Sequence, residues 1–279
     1  MNINSYILVL LFILAHVPSV CTAQDIRVST VRVTSLDGPN GMTVDHDGNI
    51  YIASERGKKV TRITLDGKSE DIIHCDSPDG LDFDRDGNLV ISNFYSGAIL
   101  IYKNNKLDTL VKGLHHPADI KFDKRGNLYI SEYDKNDVMV FTTEGKLEVV
   151  VKDIVHPFGV AIGKGNELFV ASNESGEIYK VNDGKKTLFA KIPGVISYLA
   201  FSQKTEMLYV ASFTGHRIYR VTNKGEVSVI AGTGIAGYRD GGANEAMFDS
   251  PNSVALSESG DLFVTEFKAN RIRRIHQVE

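Results

Sequence analysis

A repeat of about 39 residues runs through the sequence after residue 37 and restricts the possible folds more than any other feature. Six related stretches begin at residues 39, 78, 117, 157, 196 and 251, in steps of 39, 39, 40, 39 and 55 residues. Five of them begin with proline, and the fifth begins with Ile196. Helical repeats of the ankyrin and tetratricopeptide types have shorter periods and do not fit this spacing.

Each repeat contains four short apolar runs separated by turn residues. In the first repeat, the run 42–44 is followed by the turn Asp47-Gly48-Asn49 and by the alternating run 50–53. Four such runs in 39 residues, joined by Gly, Asn and Asp, leave no room for a helix and indicate antiparallel strands. The sequence therefore predicts an all-β chain that folds as a six-bladed β-propeller of four-stranded antiparallel blades.

The sixth repeat lacks a fourth strand, because only four residues, 276–279, follow the run 271–275. The run 26–33 near the start of the chain has no repeat of its own. We expect this N-terminal run to complete the last blade as its outer strand, which would remove an open sheet edge and lock the ring.

Residues 1–23 have the pattern of a secretory signal peptide. They contain no Lys, Arg, Asp or Glu, residues 6–17 are mostly apolar, and Cys21-Thr22-Ala23 supplies small residues for cleavage near Ala23. We expect a secreted, extracytoplasmic protein of residues 24–279 with no membrane span. Lipidation of Cys21 and an uncleaved anchor are the alternatives. Cleavage would leave Cys75 as the single cysteine, so an intramolecular disulfide would be impossible.

The charge balance argues against a nucleic-acid partner. Lys and Arg total 31, Asp and Glu total 35, and the net charge is −4, so there is no surplus of cations to neutralise phosphates. No Ser or Cys nucleophile motif and no phosphate-binding loop is present, and we expect no organic cofactor.

The repeats resemble NHL repeats, most closely in the last third of the chain. The resemblance rests on Val229–Gly234, Gly237–Gly241, Ala246–Asn252 and Asn270–Ile275, and it extends over residues 25–279. It implies a six-bladed propeller whose post-proline strand lines a central channel. That architecture hosts lactonases, lyases, ligand-binding proteins and scaffolds, so it implies no single function.

One position of the repeat is expected to point to the channel mouth. The residues that directly follow each repeat's first residue are Asn40, Asp79, Ala118, Phe158, Ser197 and Asn252. Because the ring closes, Asn252, Asn40 and Asp79 belong to adjacent blades. Their oxygen atoms would suit Ca²⁺. The trio resembles the site of regucalcin, gluconolactonases and paraoxonases, which hold Ca²⁺ with Asn, Asn and Asp at matching positions.

Two features keep the calcium hypothesis open. Those families add a glutamate just before a proline, whereas Val155-His156-Pro157 contains no acid. Pro-Asn-Gly and Pro-Asp-Gly are also common in turns that bind no metal.

A second set of residues follows the second strand of each repeat and is expected at the same mouth. Its members are Glu55, Asn93, Glu132, Asn173, Phe213 and Glu266. Glu132 or Glu266 could supply a general base or the missing metal ligand. The alternative is an acidic rim exposed to solvent.

Histidines precede the prolines of the third and fourth repeats. His116 and His156 lie on adjacent blades and could act as acid and base or bind zinc. Peptide-amidating lyases carry zinc histidines after the proline rather than before it, and no His/Glu set here matches the streptogramin lyases. Hydrogen bonding between blades is the alternative role.

Three aromatic residues, Phe158, Tyr198 and Phe213, are predicted to form a wall at the mouth opposite the Asn/Asp trio. Such a pocket suits a small ligand with one polar end. Two functions follow. The first is a secreted, divalent-metal-dependent hydrolase that resembles lactonases. The second is a non-catalytic module that binds an extracellular protein or glycan.

Overall fold

A computed structural model describes residues 26–33 and 36–279. The predicted signal peptide, residues 1–23, lies outside them. The described residues form 25 strands and no helix. None of their elements is a helix with the length and apolar character needed to span a membrane.

Five of the six sheets have four antiparallel strands, and each follows the chain from the inner to the outer edge. Blade 1 consists of β2 (Pro39–Val44), β3 (Ile50–Ser54), β4 (Lys59–Ile63) and β5 (Ser69–His74). Blade 2 consists of β6 (Pro78–Phe83), β7 (Leu89–Asn93), β8 (Ala98–Lys103) and β9 (Lys106–Lys112). Blade 3 consists of β10 (Pro117–Phe122), β11 (Leu128–Glu132), β12 (Asp137–Phe141) and β13 (Leu147–Val151).

The remaining blades repeat this plan. Blade 4 consists of β14 (Pro157–Ile162), β15 (Leu168–Ser172), β16 (Glu177–Asn182) and β17 (Lys185–Lys191). Blade 5 consists of β18 (Ile196–Phe201), β19 (Leu208–Ser212), β20 (Arg217–Val221) and β21 (Val227–Ala231). Blade 6 contains β23 (Pro251–Leu256), β24 (Leu262–Glu266), β25 (Arg271–Ile275), β1 (Arg27–Val31) and the short β22 (Gly241–Gly242).

The six inner strands form a closed ring. Each contacts the inner strand of the next blade, and β23 of blade 6 contacts β2 of blade 1. Apolar side chains from neighbouring blades pack together between the sheets, for example around Ile52 and Phe263 at the closure of the ring. The predicted six-bladed propeller is therefore confirmed.

The N-terminal strand closes the last blade, as predicted. β1 pairs with β25, with Val28 opposite Ile275, so the first and last parts of the propeller share one sheet. The short strand β22, which pairs with the other edge of β1, is not predicted by the repeat pattern.

A buried arginine attaches the connection before blade 6, the segment between β21 and β23, to the sheet that β1 and β25 form. Arg273 is 0% exposed and donates hydrogen bonds to the Met247 and Arg239 carbonyls and to Asp240, at 2.7, 2.8 and 2.7 Å. Asp240 also accepts a hydrogen bond from the Thr30 hydroxyl at 3.0 Å. The connection, the N-terminal strand and β25 therefore form one hydrogen-bonded unit.

Every inner strand has a β-bulge near its start. In blade 1, Pro39 pairs with Ser54 but Met42 pairs with Ile52, so Asn40 and Gly41 both lie opposite Ala53. The register shifts at the same position in the other five blades. A bulge leaves residues outside the ladder and redirects their side chains. The residues predicted to face the mouth are therefore bulge residues.

Buried hydroxyl groups connect the bulges of neighbouring blades. The Ser92 hydroxyl accepts the N–H of Gly80 in its own blade at 2.7 Å and donates to the carbonyl of Ala118 in the next blade at 2.5 Å. Ser131 and Thr265 make the same pair of bonds towards the blades that follow them. These bonds satisfy backbone groups that the bulges leave unpaired.

We expect the N-terminal strand to be necessary for cooperative folding. A chain that begins at residue 37 lacks β1 and leaves β25 with an unpaired edge, so it should aggregate or lose its cooperative thermal transition. The control is the chain that begins at residue 24, followed by circular dichroism and light scattering. Equal melting of the two chains would contradict this role of β1.

Candidate functional site

Three of the predicted metal ligands are buried at one end of the channel, where the inner strands begin. We call this end the mouth. Asn40, Asp79 and Asn252 are 6%, 3% and 5% exposed. The Asn252 amide nitrogen donates to the Asn40 amide oxygen at 2.5 Å, so the structure brings the side chains of blades 6 and 1 into contact.

Close packing of blades 1 and 2 places Asp79 beside this pair. A Cβ atom on Gly41 would lie 2.1 Å from the Asp79 carbonyl oxygen, so only glycine allows the two bulges to approach this closely. The three predicted ligands therefore occupy consecutive bulges on one side of the mouth.

A tyrosine from the opposite blade reaches Asp79 across the channel. Tyr198 is 3% exposed, and its hydroxyl donates a hydrogen bond to Asp79 Oδ1. Blades 2 and 5 face each other in a ring of six, so this contact spans the channel. Tyr198 was predicted as part of an apolar wall, but its polar end contacts the predicted metal ligand.

The surroundings of Asp79 disfavour its ionised form. Burial raises its pKa well above the usual value, the Tyr198 hydrogen bond opposes this, and the carboxyls of Glu55 and Asp119 raise the pKa further. Burial and Asp79 likewise raise the pKa of Tyr198. Within residues 26–33 and 36–279, none of the groups that act on Asp79 is a cation, so its carboxyl group is buried there without a compensating positive charge.

Glu55 provides a second carboxyl group at the mouth. It is partly exposed and directly follows β3. The charge of Glu55 raises the pKa of Tyr95. Glu55 therefore acts on the exposed Tyr95 as well as on the buried Asp79.

An ion-paired lysine lies among the inner strands beyond the mouth. The Lys121 ammonium is 3.3 Å from Asp119 Oδ1 and donates to the carbonyls of Ile120 and Leu81 at 2.9 and 3.2 Å. Burial lowers the pKa of Lys121, but Asp119 and Asp82 outweigh it and raise the pKa above its usual value. This lysine is fully engaged and serves the structure of the inner strands.

The opposite end of the channel opens into a separate cavity of about 270 Å³. It is lined by the later residues of the inner strands, including Val44, Asp82, Lys121, Phe201 and Leu256. None of the residues predicted at the mouth lines it.

The second predicted ring is divided between two positions of the repeat. The residues that pair with the first residue of each inner strand are Ser54, Asn93, Glu132, Ser172, Ser212 and Glu266. The residues one position later are Glu55, Phe94, Tyr133, Asn173, Phe213 and Phe267. The predicted ring took members from both sets. This corrects the sequence alignment by one residue in blades 2, 3 and 6.

Glu132 and Glu266 belong to the earlier, buried position. They are 1% and 0% exposed, and each accepts a backbone N–H from the segment before its own inner strand. Glu132 Oε1 accepts from His115 at 2.7 Å, and Glu266 Oε1 accepts from Asp249 at 2.6 Å. These contacts hold the segments that enter blades 3 and 6.

The two histidines form stacked pairs at the mouth. His116 lies parallel to Phe94 at 4.7 Å between ring centroids, and His156 lies parallel to Tyr133 at 4.5 Å. His116 Nδ1 also contacts Asp134 at 2.5 Å, and both imidazoles keep about a third of their side-chain surface exposed.

Aromatic rings form a continuous arc over blades 2–5, which we call the aromatic crescent. It consists of Phe94, Tyr133, Phe158 and Tyr198, whose successive centroids are 6.0, 5.9 and 5.3 Å apart. Phe213, the third residue of the predicted wall, pairs instead with Phe267 at 6.4 Å. The mouth thus has a polar side on blades 6, 1 and 2 and an aromatic side on blades 2–5.

Two further observations limit the chemistry of the site. In residues 26–33 and 36–279, no group of three or more His, Cys, Asp and Glu side chains is arranged to hold a metal, so a metal at the mouth would need the Asn amides. Burial and Asp76 raise the pKa of Cys75 to about 11, which keeps this thiol unreactive.

Comparison with known proteins identifies the fold. The sequence matches no known family profile, and no curated protein matches it in sequence. A gluconolactonase from Xanthomonas campestris is 16% identical with a TM-score of 0.75 over 91% of this chain and 90% of that one. Virginiamycin B lyase from Staphylococcus aureus is 21% identical with a TM-score of 0.64 over 89% and 84%.

A third structure with this fold is an auxiliary nutrient binding protein from Bacteroides thetaiotaomicron, 15% identical with a TM-score of 0.77 over 91% and 77%. The chain is a six-bladed β-propeller. Its expected likeness to gluconolactonase-type propellers is confirmed at the level of the fold. Because these proteins include a gluconolactonase, a lyase and a nutrient binding protein, the shared fold does not indicate a particular activity.

Several residues of the mouth were missed from the sequence. Phe94 and Tyr133 could have been found by aligning Leu89–Asn93 and Leu128–Glu132 with Ile50–Ser54, since each run ends where its strand ends. The contact of Tyr198 with Asp79 had no such signal, because it joins residues 119 positions apart across the ring.

We expect Tyr198→Phe to destabilise the protein at neutral pH. The substitution leaves the buried Asp79 carboxyl without its hydroxyl donor, which should lower the free energy of unfolding by about 1–3 kcal/mol. Tyr133→Phe is the control, because that ring is partly exposed and keeps its stacking on His156. Equal urea midpoints for the two variants would refute the importance of the Tyr198–Asp79 bond.

Proposed function

We propose that this protein is a secreted, divalent-metal-dependent hydrolase of the lactonase type, with its site at the mouth of the channel. One observation carries the proposal. Among the residues that the structure describes, no cation acts on the buried carboxyl group of Asp79, and the bulges that carry Asn252, Asn40 and Asp79 follow one another around the ring.

The donor atoms at the mouth suit a hard cation such as Ca²⁺, which takes carboxylate and amide oxygens. Asn40, Asn252 and Asp79 would hold it, and a cation there would compensate the buried charge of Asp79. The Tyr198 hydroxyl competes for the same carboxylate, so binding requires this hydroxyl to turn or withdraw. Glu55, a member of the second predicted ring, adds a carboxyl group from another position of the repeat.

Different residues of the mouth have different roles in the proposed reaction. Asn40, Asp79 and Asn252 would hold the divalent cation, which would supply polarisation of a carbonyl oxygen and stabilisation of the negative charge that develops there. Glu55, partly exposed and close enough to act on Asp79, accepts the proton of the attacking water. The aromatic crescent contacts the apolar part of the ligand and excludes water from the polar side. The Asn252–Asn40 contact orients both amides.

The shared fold makes lactone hydrolysis one candidate reaction among several. A gluconolactonase shares the architecture over nine tenths of both chains. The polar side of the mouth, built on three adjacent blades, is the feature of this chain that fits metal-assisted hydrolysis.

We expect Ca²⁺ to raise the melting temperature and Asp79→Asn to abolish this effect. A metal bound only to the folded state stabilises it by about 2.7 kcal/mol at one hundred times its dissociation constant. Hydrolysis of γ-butyrolactone, followed by proton release, should fall about 100-fold in the same variant. Melts are run with CaCl₂ and with EDTA.

Asp86→Asn is the matched control. Asp86 is exposed in the turn between β6 and β7, and like Asp79 it directly precedes a glycine. This variant should keep both the calcium effect and the hydrolysis. If wild type shows no metal-dependent shift and no turnover of any lactone tested, the hydrolase is excluded.

A second candidate function is non-catalytic binding of an extracellular protein or glycan. The exposed aromatic edge of the mouth favours it. Tyr95 is 68% exposed and its ring contacts His116 and Phe94, next to the crescent. An aromatic surface of this kind offers large contact area together with hydroxyl groups that form hydrogen bonds.

Under this alternative, Tyr95→Ala should weaken binding to an oligosaccharide panel by about tenfold. Tyr238→Ala is the control, because Tyr238 is 56% exposed on the connection before blade 6 and stacks on Arg271, far along the chain from the crescent. Equal losses in both variants would count against a specific site on the crescent.

A further inference from the structure

The hairpin between β11 and β12 holds two buried carboxyl groups side by side. Glu132 and Asp137 are directly paired and are 1% and 8% exposed. In the part of the chain that the structure describes, Glu132 Oε2 and Asp137 Oδ1 are both buried without a hydrogen-bond partner. Two ionised carboxylates here would repel each other and leave both oxygens unsatisfied. A single proton between them removes both costs.

The other blades show that this pairing is unusual within the repeat. The residues that occupy the same two positions are Ser54 and Lys59, Asn93 and Ala98, Ser172 and Glu177, Ser212 and Arg217, and Glu266 and Arg271. Blade 6 also has a glutamate, but there Arg271 lies 3.4 Å from it. Blade 3 alone among the six places an acid opposite an acid.

The surrounding charges do not neutralise the pair. Lys135 Nζ lies 4.0 Å from Glu132 Oε2, and Lys152 also acts on Asp137. Burial and the neighbouring Glu132 nevertheless raise the pKa of Asp137 to about 6. The other titratable groups on the adjoining segments are His115, His116 with Asp134, Asp153, and His156 with Glu174.

The pair is connected to the mouth by one hydrogen bond. Glu132 Oε1 accepts the His115 N–H at 2.7 Å, and the next residue, His116, stacks on Phe94 of the aromatic crescent. His116 directly precedes Pro117, the first residue of the inner strand β10.

We propose that Glu132 and Asp137 share one proton and together form a pH-sensitive clasp that positions the His115–His116 segment at the mouth. Both are positioning residues, since both are almost fully buried. As regulation of ligand binding the clasp rests on the function proposed above, whereas proton sharing and its effect on the segment do not depend on it.

The direction of the pH effect follows from the shared proton. The folded state binds this proton more tightly than the unfolded chain, in which an aspartate has its ordinary pKa of about 3.9. The clasp therefore stabilises the fold fully in acid, and this contribution is lost as the pH rises from about 4 through about 6.

The first test compares melting temperatures of the full chain from pH 4.5 to 7.5. Relative to Asp137→Asn, wild type should lose about 5 °C or more across this range, because the amide keeps a hydrogen bond to Glu132 at every pH. Glu132→Gln should behave like Asp137→Asn and serves as the second variant if the first folds poorly. Glu177→Gln, at the same position of blade 4, should follow wild type.

The second test measures protection of backbone amides from hydrogen exchange. Protection of the His115 amide should fall about tenfold or more between pH 5 and 7.5 in wild type and stay constant in Asp137→Asn. The Asp249 amide, which bonds to Glu266 beside Arg271, is the internal control. Parallel behaviour of the two amides in wild type, or parallel melting curves for wild type and Asp137→Asn, would overturn the clasp.

Discussion

The β-bulge at the start of each inner strand is the constraint on which the mouth depends. A ring of six blades brings six strand edges to one axis, and regular pairing would point alternate side chains between the blades. The bulge releases two residues per blade from the ladder, as at Asn40 and Gly41. One of them then reaches the channel, while the backbone of the other packs on the next blade.

The bulge leaves backbone groups that water cannot reach, and in three of the six blades a buried hydroxyl group satisfies them. In blades 2, 3 and 6, Ser92, Ser131 and Thr265 join one bulge to the next through their hydroxyl groups. In blades 1, 4 and 5, alanine occupies the corresponding position. The residue that follows also differs, being Asn or Glu in the first group and Ser in the second. The two kinds of blade therefore differ both in the contact between blades and in the contact with the entering segment.

The sequence predicted the features that depend on local patterns, but not those that depend on contacts across the ring. The repeat spacing and the turn residues predicted the strands, the six blades and closure by β1, because these depend on local patterns and on the need to cover a sheet edge. The second ring was misaligned because Asn93, Glu132 and Glu266 were compared with Glu55 rather than with Ser54. The Tyr198–Asp79 contact depends on the diameter of the ring, which no local pattern reports.

The same comparison among blades shows where function is concentrated. A residue that recurs in all blades serves the repeat, whereas the mouth is built where the blades depart from one another. Gly41, Gly80 and Gly159 allow close packing at the second bulge position, but blade 5 places Tyr198 there and sends a hydroxyl across the channel. Blade 3 replaces the glycine with Asp119 and also carries the unusual acid pair in its hairpin. Each departure buries a polar group that most of the other blades lack at the same position. The cost of burying these groups is a reason to assign them to ligand binding and its control rather than to the architecture.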